Sequence, residues 1–235
     1  MKNLLIITPV KDSIETAQQA ISKIAASKGH FSYLVYNDYS SPETRKVLEA
    51  EKGKGFELIN IEEQIETPSP NYRYTLQNSR QRALEVEAGL LIVESDVFVQ
   101  QDTIAQLFDF AQRTPDCGMV AAITVDEAKQ INFPYKHIVP DGSEAMVTNH
   151  RLSFCCTLLT LPLLHKLDFD LLSDKKDWFD VQISRDSRTI GFKNYVLPNV
   201  KVQHLPHSSR PWKKLKYTHP VKYYLRKWFM GKDRI

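Results

Sequence analysis

The stretch Leu90–Val99, which reads LLIVESDVFV, decides the fold. Four apolar residues are followed by two carboxylates one residue apart, and the chain then turns apolar again. A short apolar run of this kind is typical of a central strand buried on both faces. Carboxylates at the end of such a strand are costly unless they are paired or bind a cation. Glu94 and Asp96 therefore have two interpretations: oxygen ligands for Mg²⁺ or Mn²⁺, or side chains that simply face solvent.

Strand-like and helix-like segments alternate on the amino-terminal side of this stretch. The apolar patterns predict strands at 4–10, 31–36, 56–61 and 90–93, and helices at 13–27, 42–52 and 74–88. Such alternation calls for a parallel sheet built from right-handed βαβ units. We therefore expect an α/β fold with a mostly parallel central sheet flanked by helices.

The pattern is less regular after residue 100. It predicts helices at 103–113, 162–167 and 177–190, strands at 118–124, 154–161 and 195–202, and a loop-rich segment at 126–150. We expect one domain over residues 1–209, with halves at 1–100 and 101–209. Residues 210–235 form a separate tail.

Composition is that of an ordinary soluble globular protein, with 42% hydrophobic and 25% charged residues among 235. The apolar start of the chain is broken at Pro9 and followed by Lys11 with no small-residue cleavage site, so we interpret it as a strand and not a signal peptide. The three cysteines, Cys117, Cys155 and Cys156, have neither disulfide-framework nor zinc-site spacing. These features predict a cytoplasmic protein.

The tail at 210–235 differs in charge from the rest of the chain. It has nine Lys or Arg residues against one acid, so the net charge of +3 leaves the remainder at −5. Basic and aromatic residues alternate along it, which predicts an amphipathic helix on an anionic membrane, at the inner face of the plasma membrane. The alternative is a helix packed on the domain. The acidic remainder and the lack of a nucleic-acid motif argue against nucleic acid as a partner.

Five short segments occur in a recognisable order: Thr8–Val10, Tyr36–Ser41, Val93–Asp96, Asp180–Gly191 and Val202–His204. Together they resemble the motifs of the inverting family 2 glycosyltransferases of the GT-A fold, over roughly residues 3–209. The chain departs from the family pattern at Lys11, Glu94 and Phe179, which stand where the family has Tyr, Asp and Glu. The resemblance implies a GT-A fold with a nucleotide-sugar donor, a UDP-sugar being favoured.

The resemblance also implies a metal site of Mn²⁺ or Mg²⁺. Asp96 would ligate the ion, Glu94 would contact the ribose or reach the metal through water, and His204 would be a further ligand. A divalent cation suits this chemistry because a diphosphate leaving group develops charge as the glycosidic bond breaks.

Further donor-binding residues follow from the same resemblance. Asp38 corresponds to the residue that hydrogen-bonds the nucleobase, and its alternative role is to form a turn. Thr8, Pro9 and Asp12 are expected in the first loop of the nucleotide-binding crevice. Asn78 and Arg80 are expected in a segment that contacts base or phosphate. Ser95 lies between the two carboxylates.

Inverting transfer needs a base that takes a proton from the acceptor hydroxyl. Asp180 is the candidate, and Asp177 is the second choice because it lies three residues earlier on the same helical face. The alternative is that both are acids in the first turn of a helix, where they favour its dipole.

These expectations describe a hexosyltransferase-like enzyme. Its acceptor would be a glycan or a lipid-linked glycan in cell-surface polysaccharide or lipopolysaccharide synthesis. The competing hypothesis is a non-catalytic protein that keeps the fold as a sugar-nucleotide-binding module or a membrane-surface scaffold.

Overall fold

A mixed β-sheet forms the centre of the protein in the computed structural model, which describes residues 3–173, 178–205 and 221–222. Within these residues the sheet has nine strands in the order β3-β2-β1-β4-β8-β6-β9-β5, with β7 also paired to β9. The strands are β1 (Asn3–Val10), β2 (Ser32–Asn37), β3 (Glu57–Asn60), β4 (Ala88–Val93), β5 (Val97–Phe98), β6 (Cys117–Val125), β7 (Met146–Val147), β8 (Cys156–Leu159) and β9 (Lys193–His204).

Six α-helices connect the strands of the described residues. They are α1 (Ile14–Ala25), α2 (Pro42–Glu51), α3 (Tyr72–Glu85), α4 (Thr103–Arg113), α5 (Leu161–Lys166) and α6 (Phe179–Thr189), with short 3₁₀ turns at Ile61–Glu63 and Phe169–Leu171. No helix in the described part of the chain is both long enough and apolar enough to cross a membrane.

The first half of the sheet is parallel, as the alternating pattern predicts. β1 pairs in parallel with β2 and β4, and β2 pairs in parallel with β3. The register places Ile7 of β1 opposite Leu34 on one side and Ile92 on the other. The carboxyl ends of β1, β2 and β4 therefore meet at one edge of the sheet.

The second half is more mixed than the sequence indicates. β8 runs antiparallel between β4 and β6, whereas β6 and β9 are parallel, and β5 and β7 pair antiparallel with β9. The long connection from β6 to β8 lets the chain return in the opposite direction, which periodicity does not reveal. Because β4, β6 and β9 point the same way, β9 ends at the same edge as β4.

Helices cover both faces of the sheet with apolar side chains. Ile21 of α1 and Leu107 of α4 belong to one buried cluster. Leu76 of α3 and Ile183 of α6 belong to the other. Every residue of β4 is buried, as predicted for a strand covered on both sides. Gly118 of β6 allows close packing, because a Cβ there would lie 2.4 Å from the hydroxyl oxygen of Ser187 on α6.

Two predicted features lie outside the described residues. One is Asp177, the second-choice base. The other is the tail at 210–235, apart from Val221 and Lys222. Both stay predictions.

Candidate active site

The turn after β4 places the two carboxylates of the opening stretch at the sheet edge. Glu94 N–H donates to the carbonyl of Cys155 at 3.1 Å, and Val97 N–H donates to the carbonyl of Glu94 at 3.1 Å. Ser95 lies within this turn, between the carboxylates. Val97 then pairs with His204 at the end of β9. Strand pairing therefore brings the last residue of β9 beside the turn.

His204 and Asp96 lie next to each other as a result. His204 Nε2 is 3.8 Å from Asp96 Oδ2, and the two side chains are 6% and 15% exposed. His204 Nδ1 is 2.8 Å from the carbonyl oxygen of Phe133. Because a carbonyl can only accept, Nδ1 carries the hydrogen, and in a neutral ring the lone pair is on Nε2. Nε2 is thus the ring atom that can bind a cation.

Cys155 is a further metal-ligating group at this site, and the sequence did not predict it. Ligand atoms of Glu94, Cys155 and His204 all lie within 4.8 Å of one another. The Cys155 thiol donates to Glu94 Oε2 at 3.5 Å and is 3.3 Å from the hydroxyl of Ser153. Burial, and then the nearby carboxylates of Glu94 and Asp96, raise the pKa of this thiol well above its ordinary value.

This donor set fits a divalent transition metal. Carboxylate oxygens and a neutral imidazole suit Mn²⁺, and the carbonyl partner of His204 resembles the outer contact that usually orients a metal-binding histidine. A thiol beside them adds a softer ligand, which would favour ions such as Zn²⁺ relative to Mg²⁺. Glu94, Asp96 and His204 are the residues that would hold the ion, with Cys155 as a fourth candidate.

Asp180 is held in the first turn of α6 by an arginine. Arg151 Nη1 donates to Asp180 Oδ2 at 2.7 Å, and Val181 N–H donates to Oδ1 at 2.8 Å. Burial raises the pKa of Asp180, while Arg151 acts in the opposite direction. The Arg151 guanidinium also lies over the Trp178 ring, 5.3 Å from its centroid. Asp180 is thus a partly buried, oriented carboxylate, and Arg151, like Cys155, is a residue that the sequence did not predict.

Asp38 and Asp12 make several hydrogen bonds in the first half of the protein. Asp38 accepts from Ser69 Oγ at 2.8 Å and from Asn71 backbone N–H at 3.0 Å and Nδ2 at 2.9 Å. Asp12 accepts from the backbone N–H of Ser41 at 2.8 Å. These carboxylates fix the loops that follow β1 and β2. The nucleobase role of Asp38 stays a prediction.

Thr8 and Asn78 accept hydrogen bonds from tyrosines of β2. Tyr33 donates its hydroxyl to Thr8 Oγ1 at 2.9 Å, and Tyr36 donates to Asn78 Oδ1 at 2.8 Å. Pro9 pairs with Tyr36 inside the sheet.

Arg80 packs α3 against the segment from α5 onward. Its Nε donates to the carbonyl of Leu164 at 3.0 Å, its Nη1 is 3.9 Å from Asp168, and it lies over the Phe169 ring. The hydrogen bond, the ion pair and the ring contact are thus all made with residues 164–169.

No family model matches the chain, and no curated protein matches it in sequence. Solved structures do match in fold. S. aureus TarS 1-349 has a TM-score of 0.62 at 14% identity, covering 92% of this chain and 64% of that chain. The mannosyltransferase PcManGT from Pyrobaculum calidifontis, in complex with GDP-Man and Mn²⁺, has 0.62 at 14%, covering 95% and 63%.

GalNAc-T7, solved with UDP, GalNAc and Mn²⁺, has a TM-score of 0.64 at 10% identity, covering 88% of this chain and 44% of that chain. The chain spans less than two thirds of the length of each of these three structures. Identities this low show the fold alone. The similarity confirms the predicted GT-A fold, a mixed α/β sheet flanked by helices.

Proposed function

We propose that this protein is a metal-dependent inverting glycosyltransferase that uses a nucleotide-diphosphate sugar, with a UDP-sugar favoured. The observation that carries the proposal is the cluster of Glu94, Asp96 and His204 at the carboxyl edge of a GT-A sheet. Ligands of open α/β sheets bind at this edge. PcManGT and GalNAc-T7, which share the fold, were solved with Mn²⁺ and a nucleotide or nucleotide sugar.

The cluster is built to hold an ion in a fixed place. When bound, a divalent cation offsets the charge that develops on the diphosphate leaving group. Asp96 and Glu94 extend from one tight turn, and His204 is fixed by its strand pairing with Val97. The carbonyl of Phe133 keeps Nε2 as the accepting nitrogen of a neutral ring.

The loops that follow β1 and β2 form the nucleotide side of the proposal. Asp38 would accept a hydrogen bond from the nucleobase in addition to the three that it accepts from Ser69 and Asn71. An ionised carboxylate has about four acceptor positions, which leaves room for one more donor. Asp12 keeps the loop after β2 in position through Ser41.

Asp180 is the proposed general base. It would take the proton of the acceptor hydroxyl while that oxygen attacks the anomeric carbon from the face opposite the diphosphate, which inverts the configuration. Burial makes the carboxylate more basic, and the hydrogen bond from Arg151 orients it. Asp177 remains the second choice.

The acceptor side of the proposal is a hydroxyl of a glycan or of a lipid-linked glycan in cell-surface polysaccharide or lipopolysaccharide synthesis.

The basic tail at 210–235 would contact an anionic membrane from the cytoplasmic side. Sedimentation with anionic vesicles tests this. The full chain should pellet and a chain ending at residue 209 should not, and equal pelleting would remove the tail from the proposal.

A thermal-denaturation panel tests the donor and the metal together. UDP, GDP, dTDP and CDP are each added with and without Mn²⁺. A nucleotide at a hundred times its dissociation constant adds about 2.7 kcal/mol to the free energy of unfolding. We expect UDP with Mn²⁺ to give the largest rise. No rise with any nucleotide would refute the proposal, and a rise without transfer to any acceptor would favour the non-catalytic binding module.

A further inference from the structure

A cavity lined by arginines lies within residues 101–209, between residues 134–151 and helix α6. Its volume is about 540 Å³, which is within the usual size range of small-molecule sites. The polar side chains that line it are three arginines, two histidines and an asparagine, namely Arg151, Arg185, Arg188, His137, His150 and Asn149. No acidic residue of the described chain is among the lining residues.

The arginines come from two elements that meet at the cavity. Arg185 and Arg188 are three residues apart on α6 and so lie on the same face of the helix. Arg188 Nη1 donates to the carbonyl of Ser184 at 3.0 Å, and a guanidinium has five N–H donors in all. Arg185 pairs with Asp186 at 2.9 Å, but its side chain is 64% exposed. Both arginines therefore keep donors for a ligand.

The two histidines of the cavity lie close together. The rings of His137 and His150 are 4.7 Å apart between centroids. Burial, and then the neighbouring His150 and Arg151, lower the pKa of His137. Together with the three arginines, the imidazole N–H groups supply hydrogen-bond donors for an anion.

Arg151 connects the cavity to the proposed base. It lines the cavity and donates to Asp180 Oδ2 at 2.7 Å. A group bound in the cavity would therefore lie one side chain away from the carboxylate that is to deprotonate the acceptor.

We propose that this cavity binds a phosphate group carried by the acceptor, for example a sugar phosphate or a polyol phosphate. Guanidinium groups pair bidentately with both carboxylates and phosphates, but a phosphate offers three terminal oxygens to several converging arginines where a carboxylate offers two. The cavity is larger than one phosphate, so part of the attached sugar or polyol would enter with it. The acceptor assignment rests on the proposed function, whereas phosphate binding itself does not.

Calorimetric titration of the full-length protein, free of metal and nucleotide, tests the site with inorganic phosphate, glycerol phosphate and glycerol. We expect both phosphates to bind and glycerol not to bind. Arg185→Gln should weaken binding by about tenfold, the loss expected for one charge-assisted hydrogen bond, and Arg185→Gln/Arg188→Gln by more. Glycerol phosphate should bind more tightly than inorganic phosphate if the polyol enters the cavity.

Arg113→Gln is the matched control, since Arg113 is exposed on α4 and pairs with Glu144. It should leave phosphate binding unchanged. The ring signals of His137 and His150 in NMR spectra should shift with phosphate in the wild type and in Arg113→Gln. Equal binding in all variants, or no binding by the wild type, would overturn the proposal even if Mn²⁺ and UDP bind as proposed above.

Discussion

Two carboxylates of residues 3–93, Asp12 and Asp38, and two of residues 94–204, Asp96 and Asp180, lie at or beside the ends of strands or helices but have different neighbours. Asp12 and Asp38 accept hydrogen bonds from loop residues such as Ser41 and Asn71. Asp96 lies instead beside an imidazole, and Asp180 beside a guanidinium. The first pair fixes backbone, whereas the second pair faces groups that take up protons, cations or anions. The comparison separates acids whose hydrogen bonds fix loops, of which Asp38 keeps one acceptor position for the proposed nucleobase contact, from acids proposed to bind a metal or to accept a proton.

The largest effect is expected at Asp180. Asp180→Asn keeps the shape of the side chain but removes the base, so transfer should fall by roughly 10²–10⁴-fold while nucleotide binding changes little. In the wild type, transfer should also fall as the pH drops through the raised pKa of Asp180, because only the ionised form accepts a proton. Initial rates across pH measure both.

Two controls accompany this prediction. Asp109→Asn changes an exposed carboxylate on α4 and should leave the rate unchanged. Asp177→Asn should be milder than Asp180→Asn. The reverse ranking would transfer the role to Asp177, and full activity in both variants would refute the displacement mechanism.

A pair of matched substitutions tests the comparison directly. In Asp38→Asn an amide donor replaces one carboxylate oxygen and faces donors from Ser69 or Asn71, so the free energy of unfolding should fall by about 1–3 kcal/mol. Asp96→Asn should change it by less, because an amide can donate to the lone pair of His204 Nε2, which lies 3.8 Å from Asp96 Oδ2, and it replaces a carboxylate that is 15% exposed. Urea denaturation of the metal-free protein measures both.

Ser69→Ala is the control for this pair. It removes one of the three bonds to Asp38 and should cost less than Asp38→Asn. The comparison fails if Asp96→Asn proves the more destabilising of the two aspartate variants.

A smaller effect is expected at Cys155. Cys155→Ser replaces a soft ligand with a hard one, so the affinity for Zn²⁺ relative to Mn²⁺ should fall by about tenfold. Cys156→Ser, at a buried neighbour outside the group of ligand atoms, should leave this ratio unchanged. Competitive metal titrations measure it, and an unchanged ratio in Cys155→Ser would exclude the thiol as a ligand.

Local pattern was sufficient to predict the first half of the fold, and the motif resemblance selected one part of the candidate site. The βαβ alternation predicts β1 to β4, and the apolar run before Glu94 predicts a strand that is buried throughout. The pattern of a strand ending in His204 predicts β9. The motif resemblance selects Asp96 and His204, and because β4 and β9 end at the same edge of the sheet, the two side chains lie next to each other.

Non-local pairing explains what the sequence could not predict. Cys155 reaches the site only because β8 inserts antiparallel beside β4, with Cys156 opposite Val93. Arg151 belongs to a segment with no hydrophobic period, and its contact with Asp180 joins residues 29 apart in the chain. The motif resemblance does not predict the contacts that Arg80 makes with residues 164–169.

The central claim is that Asp96 and His204 hold a divalent cation that binds the donor diphosphate. Mn²⁺ electron paramagnetic resonance, with and without UDP, tests it in the wild type and in Asp96→Asn. The wild type should bind Mn²⁺ and bind it more tightly with UDP, since the coupling is reciprocal. Asp96→Asn should lose more than about 100-fold in affinity, because loss of an outer contact alone costs 10–100-fold. UDP that binds equally tightly in EDTA, with Asp96→Asn silent, would contradict the account.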